Sequence, residues 1–312
     1  MVSALPLFYY PGTWVYVDDD KLLLKNIALV FDGHACAKLF SEPKTCLNFI
    51  NSYQSPLSKH TFLKSVTHDE GYGVLQHTPV DFNVTMLVNL LDDENRHNEI
   101  TAMVIDYNMS EMDGFSLAKA CSHFSAKKIL LTGKANENQA VAGFNNNLIH
   151  RFLQKGESEL EEKLIGYLTE LSFQYFQKIT APLLSYLETE NQLPLSDKVF
   201  IGFFKNYIKE KKITEYYLVD KQGSFLCIDD KGRKSCLILQ SDRGLDSWLS
   251  SYGEGTAFSE NELLEIKQRK KIPFFDVGQE AWQVEVSNWS GYLYTPNILE
   301  GRDRYFWATI NL

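Results

Sequence analysis

The chain has 312 residues, 44% of them hydrophobic and 23% charged, which is enough apolar material for two ordinary globular cores. A net charge of -9 excludes a nucleic-acid binder that relies on bulk positive charge. The five cysteines (Cys36, Cys46, Cys121, Cys227 and Cys236) are odd in number and contain no CxxC pair, so they read as reduced thiols and not as a disulfide frame or a zinc site.

The apolar start, MVSALPLFYYPGTW, has no early Lys or Arg and is interrupted at Pro11, so it does not read as a signal peptide. No apolar run approaches the ~18 residues of a membrane span, and the expected location is the cytoplasm. Thr13–Val17 (TWVYV) is expected to be a buried strand that runs directly into Asp18, Asp19 and Asp20. Lys21–Phe31 has helical spacing and stops at Asp32-Gly33. Ala37–Phe40 reads as a strand and Pro43–Tyr53 as a helix with Cys46, Phe49, Ile50 and Tyr53 on one face. Residues 54–99 are irregular, with one helix expected at Val80–Leu91 carrying Phe82, Leu87, Leu90 and Leu91.

Ile100–Ile105 is expected to be a strand ending in Asp106, followed by a helix at Phe115–Phe124. Lys128–Leu131 reads as a strand ending in Thr132-Gly133, Asn136–Asn145 as a helix, and Ile149–Leu153 as a strand ending at Gln154-Lys155-Gly156. Strands alternating with helices imply a doubly wound parallel sheet of five strands, whose site lies at the carboxyl ends of the strands. Those ends are Asp18-Asp19, Asp106, Thr132 and Lys155.

From Glu157 a long helix is expected, with Leu160, Leu164, Leu168, Leu171 and Tyr175 forming a narrow stripe. The stripe fits equally a coiled-coil seam between two protomers and a helix packed on its own chain. Pro182 is expected to restart or kink this helix, with Thr180 as a cap, and Asn191–Pro194 to end it. Asp197–Lys212 reads as an amphipathic helix. A meander of three strands follows at Thr214–Asp220, Ser224–Ile228 and Ser235–Leu239, then helices at Gly244–Tyr252 and Glu260–Lys270 and strands near Gly291–Tyr294 and Tyr305–Ile310. The division expected is 1–156, with an insertion at about 54–99; a helical linker, 157–192; and a C-terminal mixed α/β domain, 193–312.

Three carboxylates at the mouth of a buried sheet repel one another and are costly to desolvate unless a cation joins them. Magnesium suits such a set, being a hard cation that prefers oxygen ligands. One carboxylate can then act as nucleophile toward phosphorus, while an ammonium and a hydroxyl hold the phosphoryl oxygens. Asp18, Asp19, Asp106, Thr132 and Lys155 supply this set on successive strand ends.

The segments VDDD, VIDYNMSEMDG, LLTGKA and RFLQK resemble those of CheY-like receiver domains of two-component response regulators, over residues ~13–156. The resemblance implies a flavodoxin-like fold with Asp106 as phosphoryl acceptor. It implies Mg2+ (or Mn2+) held by Asp18, Asp19, Asp106 and the backbone carbonyl of Asn108. Thr132 and Lys155 would bind the phosphoryl group, and Thr132 and Phe152 would be the switch residues. The implied partner is a sensor histidine kinase or phosphotransfer protein of bacterial signalling. Three features depart from the family pattern. Ser110 replaces a proline after Asp106. Gly156 replaces the proline that usually follows the lysine. About forty extra residues separate Asp19 from Asp106, either as a surface insertion or as a dimerisation or regulatory element.

The C-terminal strands YYLVDKQGSFLCIDD and KSCLIL loosely resemble the opening meander of PAS- or GAF-type folds. No helix-turn-helix, P-loop or catalytic string occurs there. Two basic segments, KNYIKEKK at 205–212 and KQRKK at 267–271, read as solvated helix faces or as phosphate-contacting patches. Residues 157–312 hold 18 Lys and Arg against 24 Asp and Glu, which favours the solvated reading. The aromatics Trp282, Trp289, Tyr292, Tyr294, Tyr305, Phe306 and Trp307 read as core. The expectation is a non-enzymatic output by protein interaction or small-molecule sensing, with a homodimer through the linker helix, insertion or receiver face. A nucleic-acid-binding transcriptional output and an output enzyme of unrecognised fold are the alternatives.

Overall fold

The computed structural model describes residues 4–65, 80–82, 85–133, 143–188, 194–252, 258–275 and 286–312. They form two compact units: Tyr10–His60 with Asp93–Ile179, and Met1–Tyr9 with Thr61–Asp92 and Thr180–Leu312. This division differs from the sequence expectation, because the first nine residues and most of the insertion cluster with the C-terminal part of the chain.

The first unit is built on five parallel strands in the spatial order Cys36–Phe40, Thr13–Val17, Ile100–Asp106, Lys127–Thr132, Arg151–Gln154. In sequence terms this is the 2-1-3-4-5 order of flavodoxin-like folds, with its topological switch point between the first and third strands. Side chains alternate between the two faces of the sheet. Val15, Val17, Met103, Ile105 and Leu130 pack with the helices Pro43–Ser52 and Gly114–Ala120 through Cys46, Ile50, Leu117 and Ala118. Trp14, Tyr16, Ala102, Val104, Ile129, Leu131 and Leu153 form the opposite core with Leu24, Ile27 and Phe31 of the Lys21–Phe31 helix. Every residue of Ile100–Asp106 is buried, as a central strand covered on both faces requires.

That opposite core also contains Leu164, Leu168 and Leu171, which are fully buried. The leucine stripe is therefore packed on its own sheet, and the coiled-coil seam is not formed from these residues. Its helix, Leu160–Glu188, runs without a break through Pro182, correcting the expected restart there. Thr180 is no cap: it is buried, and its Oγ1 accepts from Leu7 N at 3.4 Å. The turn around residue 175 is tied to the start of the central strand. Tyr175 donates to the buried Glu99 carboxylate, which also accepts from Ser55. Ser172 Oγ links Trp14 Nε1 at 2.9 Å with Thr101 Oγ1 at 2.8 Å.

The second unit is a six-stranded antiparallel sheet in the order Phe8–Tyr9, Ile213–Leu218, Phe225–Asp229, Lys234–Ser241, Arg304–Asn311, Asn297–Glu300. The expected meander is its centre, and a strand at 297–300 was not expected. One face carries the helix Lys198–Lys211, where Phe204 stacks on Phe225 at 4.5 Å and meets Tyr216 edge-on at 5.0 Å. The other face carries Asp242–Tyr252 and Glu260–Lys267 through Leu245, Phe258, Ile266 and Trp289. Trp289, Tyr305 and Phe306 are core, whereas Trp282 lies outside the described residues.

The insertion does not form the single helix expected at 80–91. Leu63–Ser65 pairs antiparallel with Val80–Phe82, followed by a short helix at Thr85–Val88 and a 3-10 turn at Asn89–Asp92. Leu87 and Leu90 are fully buried, and the short helix packs near the Ile213–Leu218 strand of the same unit. These apolar residues are spent within the chain and are not offered to a partner. The helix expected at Asn136–Asn145 falls largely outside the described residues.

Asp197 holds this unit together at one corner. It caps the Lys198–Lys211 helix through Val199 N at 2.9 Å, accepts from the Tyr305 hydroxyl at 2.9 Å, and accepts from Arg302 N at 2.5 Å. A Cβ on Gly301 would come within 2.5 Å of Asp197 Oδ2, so that turn needs glycine. Burial works against the Asp197 carboxylate, but the bonds from Arg302, Val199 and Tyr305 prevail and hold its pKa below the usual range. A depressed folded-state pKa contributes stability above the unfolded value, which is lost as pH falls through the folded value. Asp197→Ala should therefore cost about 2–3 kcal/mol in urea denaturation at neutral pH. The gap between variant and parent should narrow below about pH 4, and a gap unchanged across that range would contradict the assignment.

Candidate functional site

The sheet register assembles the polar site. Val17 is paired with Ile105, so the next residues, Asp18 and Asp106, emerge side by side. Asp106 itself is paired with Leu131, which places Thr132 one step beyond it; Thr132 is paired with Gln154, so Lys155 follows directly. The backbone carries the turn onward, with Lys155 N donating to Thr132 O at 2.8 Å. The site sits at the switch point of the sheet, where neighbouring connections leave in opposite directions and open a crevice.

Asp18, Asp19 and Asp106 each offer a carboxylate oxygen, all within 4.8 Å of one another. Asp18 and Asp106 are buried at 0% and 2% exposure, whereas Asp19 is open to solvent. The Lys155 ammonium bridges the buried pair, at 2.7 Å from Asp18 Oδ2 and 3.0 Å from Asp106 Oδ1. These are ion contacts: neither oxygen accepts a well-directed hydrogen bond from the described residues. Asp19 Oδ2 accepts from Ser110 N at 2.9 Å, and Asp18 Oδ1 from Asp20 N at 3.0 Å. Asp20 is not part of the cluster; it caps the Lys21–Phe31 helix through Leu22 N and Leu23 N.

Electrostatics follow from burial and from this crowding. Burial raises the Asp106 pKa; contact with Lys155 opposes that rise, and the charges of Asp18 and Asp19 add to it. Burial also works against the Lys155 ammonium, but the two carboxylates outweigh it and its pKa rises. Tyr16, in the strand leading to Asp18, is pushed up by burial first and then by Asp18 and Asp106. Three carboxylates and one ammonium leave about two negative charges without local compensation, a deficit that a divalent cation matches. The oxygen-only donor set and the two poorly satisfied buried oxygens fit Mg2+ or Mn2+.

The remaining expected residues are placed as follows. Thr132 is buried at the end of its strand. Asn108 is exposed in the turn after Asp106, and Phe152 is half-buried against the core that includes Leu130, its register partner. Gly156 stands after Lys155 without preventing the lysine from reaching both carboxylates. One residue was overlooked in the sequence. A Cβ on Gly114 would lie 2.4 Å from the Asp106 carbonyl oxygen, and Gly114 N donates to Tyr107 O at 2.9 Å. Only glycine lets the loop after Asp106 fold back so closely. The signal was present in the segment from Asp106 to Asp113-Gly114, where a turn pair precedes a helix.

Two of the four cations in the basic segment at 267–271 are engaged within the chain. Arg269 is held by Asp242 at 2.8 Å and by Asp246, and Lys271 Nζ bonds Thr295 Oγ1 at 2.9 Å. No helix among the described residues is long and apolar enough to cross a membrane.

No protein-family profile matches the chain, and no curated protein matches it. Among solved structures, the response regulator LqsR of Legionella pneumophila is 28% identical, with a TM-score of 0.76 over 98% of this chain and 89% of that one. The receiver domain of the Francisella response regulator 1452 covers 52% of this chain and 96% of its own at 17% identity and a TM-score of 0.35. A CheY-like receiver domain protein from Methanospirillum hungatei covers 52% and 96% at 17% identity and a TM-score of 0.33. With its 2-1-3-4-5 parallel sheet, the first unit has the fold of a CheY-like receiver domain, and the chain is similar over its whole length to a response regulator.

Proposed function

We propose that the chain is a phosphorelay response regulator in which Asp106 accepts a phosphoryl group from a histidine kinase or phosphotransfer protein in the cytoplasm. The observation that supports this most directly is the convergence of Asp18, Asp19 and Asp106 with Lys155 bridging two of them. In the reaction an Asp106 carboxylate oxygen forms a bond to phosphorus as the donor's phosphorus–nitrogen bond breaks, its electron pair returning to the imidazole nitrogen. Mg2+ or Mn2+, held by Asp18, Asp19, Asp106 and the Asn108 carbonyl, would neutralise charge on the phosphoryl oxygens. Lys155, already 3.0 Å from Asp106, would pair with a second phosphoryl oxygen, and the Thr132 hydroxyl would donate to a third. Movement of Thr132 and inward rotation of the half-buried Phe152 would then alter the adjoining surface. Output would follow through association of the C-terminal unit with another protein, without turnover in that unit.

Incubation with Mg2+ and acetyl phosphate should add one phosphoryl group by intact mass, and neither Asp106→Asn nor chelation of the metal should permit it. Persistent labelling of Asp106→Asn at the parental level would refute the acceptor assignment. Lys155→Met should leave two buried carboxylates without their cation. We expect a loss of about 1–3 kcal/mol, discounted for the lysine's partial exposure. Saturating Mg2+ should restore much of it in thermal melts, because binding to the folded state alone is stabilising. A variant whose melting temperature ignores Mg2+ would argue against a metal at this site.

A further inference from the structure

The basic segment at 205–212 delivers Lys211 to the mouth of a cavity of about 660 Å3 in the C-terminal unit. The cavity lies on the face of the antiparallel sheet that carries the Lys198–Lys211 helix, where that helix ends and Lys212 takes a left-handed conformation, with φ of 53°, turning the chain into the next strand. Three segments far apart in sequence line it: Tyr207, Lys211 and Ile213; Asp229 with the turn to Ser235; and Thr309 to the last residue. Register places Ser235 opposite Asn311 and Leu237 opposite Thr309, so the hydroxyls and the amide share one ladder. Tyr207 is 5% exposed, and its hydroxyl meets Thr309 Oγ1 at 3.2 Å, giving a polar point beside the apolar Ile213.

The charge of this lining is the informative feature. Lys211, Arg233 and Lys234 face it with one side-chain carboxylate, Asp229, and the α-carboxylate of Leu312. Asp229 is already committed: Oδ1 accepts from Lys231 N and Arg233 N, both at 2.9 Å, and Oδ2 takes Arg233 Nε at 2.7 Å. Among the described residues no carboxylate pairs with Lys211 or Lys234, although the chain as a whole is acidic. Two unpaired ammoniums, hydroxyl and amide groups and an apolar wall, around a volume suited to a small molecule, describe a receptor for an organic anion.

We propose that this cavity binds a small organic dianion, a phosphate ester or a dicarboxylate with an apolar or aromatic body. The charged end would sit between Lys211 and Lys234, with the body against Tyr207 and Ile213. The proposal goes beyond the phosphotransfer reading and does not rest on it, since every residue involved belongs to the C-terminal unit and no phosphodonor is needed.

The test is amide NMR of the full chain titrated with phenyl phosphate, with isophthalate and with neutral benzyl alcohol, at constant ionic strength. At least one dianion should give saturable shifts at residues 207–213, 229–236 and 309–312 with a Kd of about 1 mM or tighter, and benzyl alcohol should not. Response to phenyl phosphate alone would identify a phosphate ester as the ligand, and response to isophthalate alone a dicarboxylate. The double variant Lys211→Gln with Lys234→Gln changes only exposed side chains and should keep a dispersed spectrum while binding at least about tenfold more weakly. No saturable shift from either dianion up to about 10 mM, equal binding by the double variant, or equal response to benzyl alcohol would overturn the proposal.

Discussion

The receiver unit depends on one ion contact, the Lys155 ammonium lodged between the carboxylates of Asp18 and Asp106. Burying two anions side by side carries an effective penalty of several kcal/mol each, and no folding pattern of apolar residues would tolerate it uncompensated. The lysine offsets that penalty only because the parallel register brings three different strand ends to one point. Val17 beside Ile105 fixes the two aspartates, and Thr132 beside Gln154 delivers the lysine. Slipping any of these pairings by one residue would turn the acids toward an apolar core. The apolar alternation along the strands and the polar chemistry at their tips are thus the same constraint seen from two ends.

This coupling explains why the site was legible in the sequence. Parallel strands buried on both faces read as short apolar runs, and each run here stops at or just before a polar residue of the candidate site: Asp18, Asp106, Thr132, Lys155. Gly114 was not legible in that way, because its role comes from an approach of 2.4 Å between backbone and a hypothetical Cβ, which no local pattern reveals. The leucine stripe at 160–171 was legible as a buried helix face but not as to what covers it, since a heptad-like spacing suits both a partner helix and a sheet. Trp14, Tyr16 and Leu153 supply the cover. Pro182 was read as a break because proline removes one intrahelical bond; the surrounding helix persists, with Thr180 and Leu184 buried on either side of it.

The segments that escaped sequence reading owe their structure to distant partners. Phe8–Tyr9 is a strand only because Ile213–Leu218 lies beside it, more than two hundred residues away. Two residues cannot show a period, so no element was read in the apolar, proline-flanked start. The same holds for Leu87 and Leu90 of the insertion, whose burial depends on the C-terminal sheet. Apolar content beyond what a free loop needs was visible; its destination was not. The lysine-lined cavity is the extreme case, since Lys211, Lys234 and Asn311 have no proximity in sequence at all.

These distant pairings also mean that neither unit is a continuous stretch of chain. The backbone passes from one to the other after residues 9, 60, 92 and 179. A boundary at 156, where the family resemblance ends, would strip the receiver of Leu164, Leu168 and Leu171, which complete one face of its core. It would equally strip the C-terminal sheet of its Phe8–Tyr9 edge strand and of the 61–92 segment. Exposing the apolar face left by three fully buried leucines costs on the order of 5 kcal/mol or more, comparable to the whole stability of a typical domain. The receiver and the C-terminal unit are therefore separate cores that share one covalent fold, and each contains chain that the other's sequence neighbours must deliver.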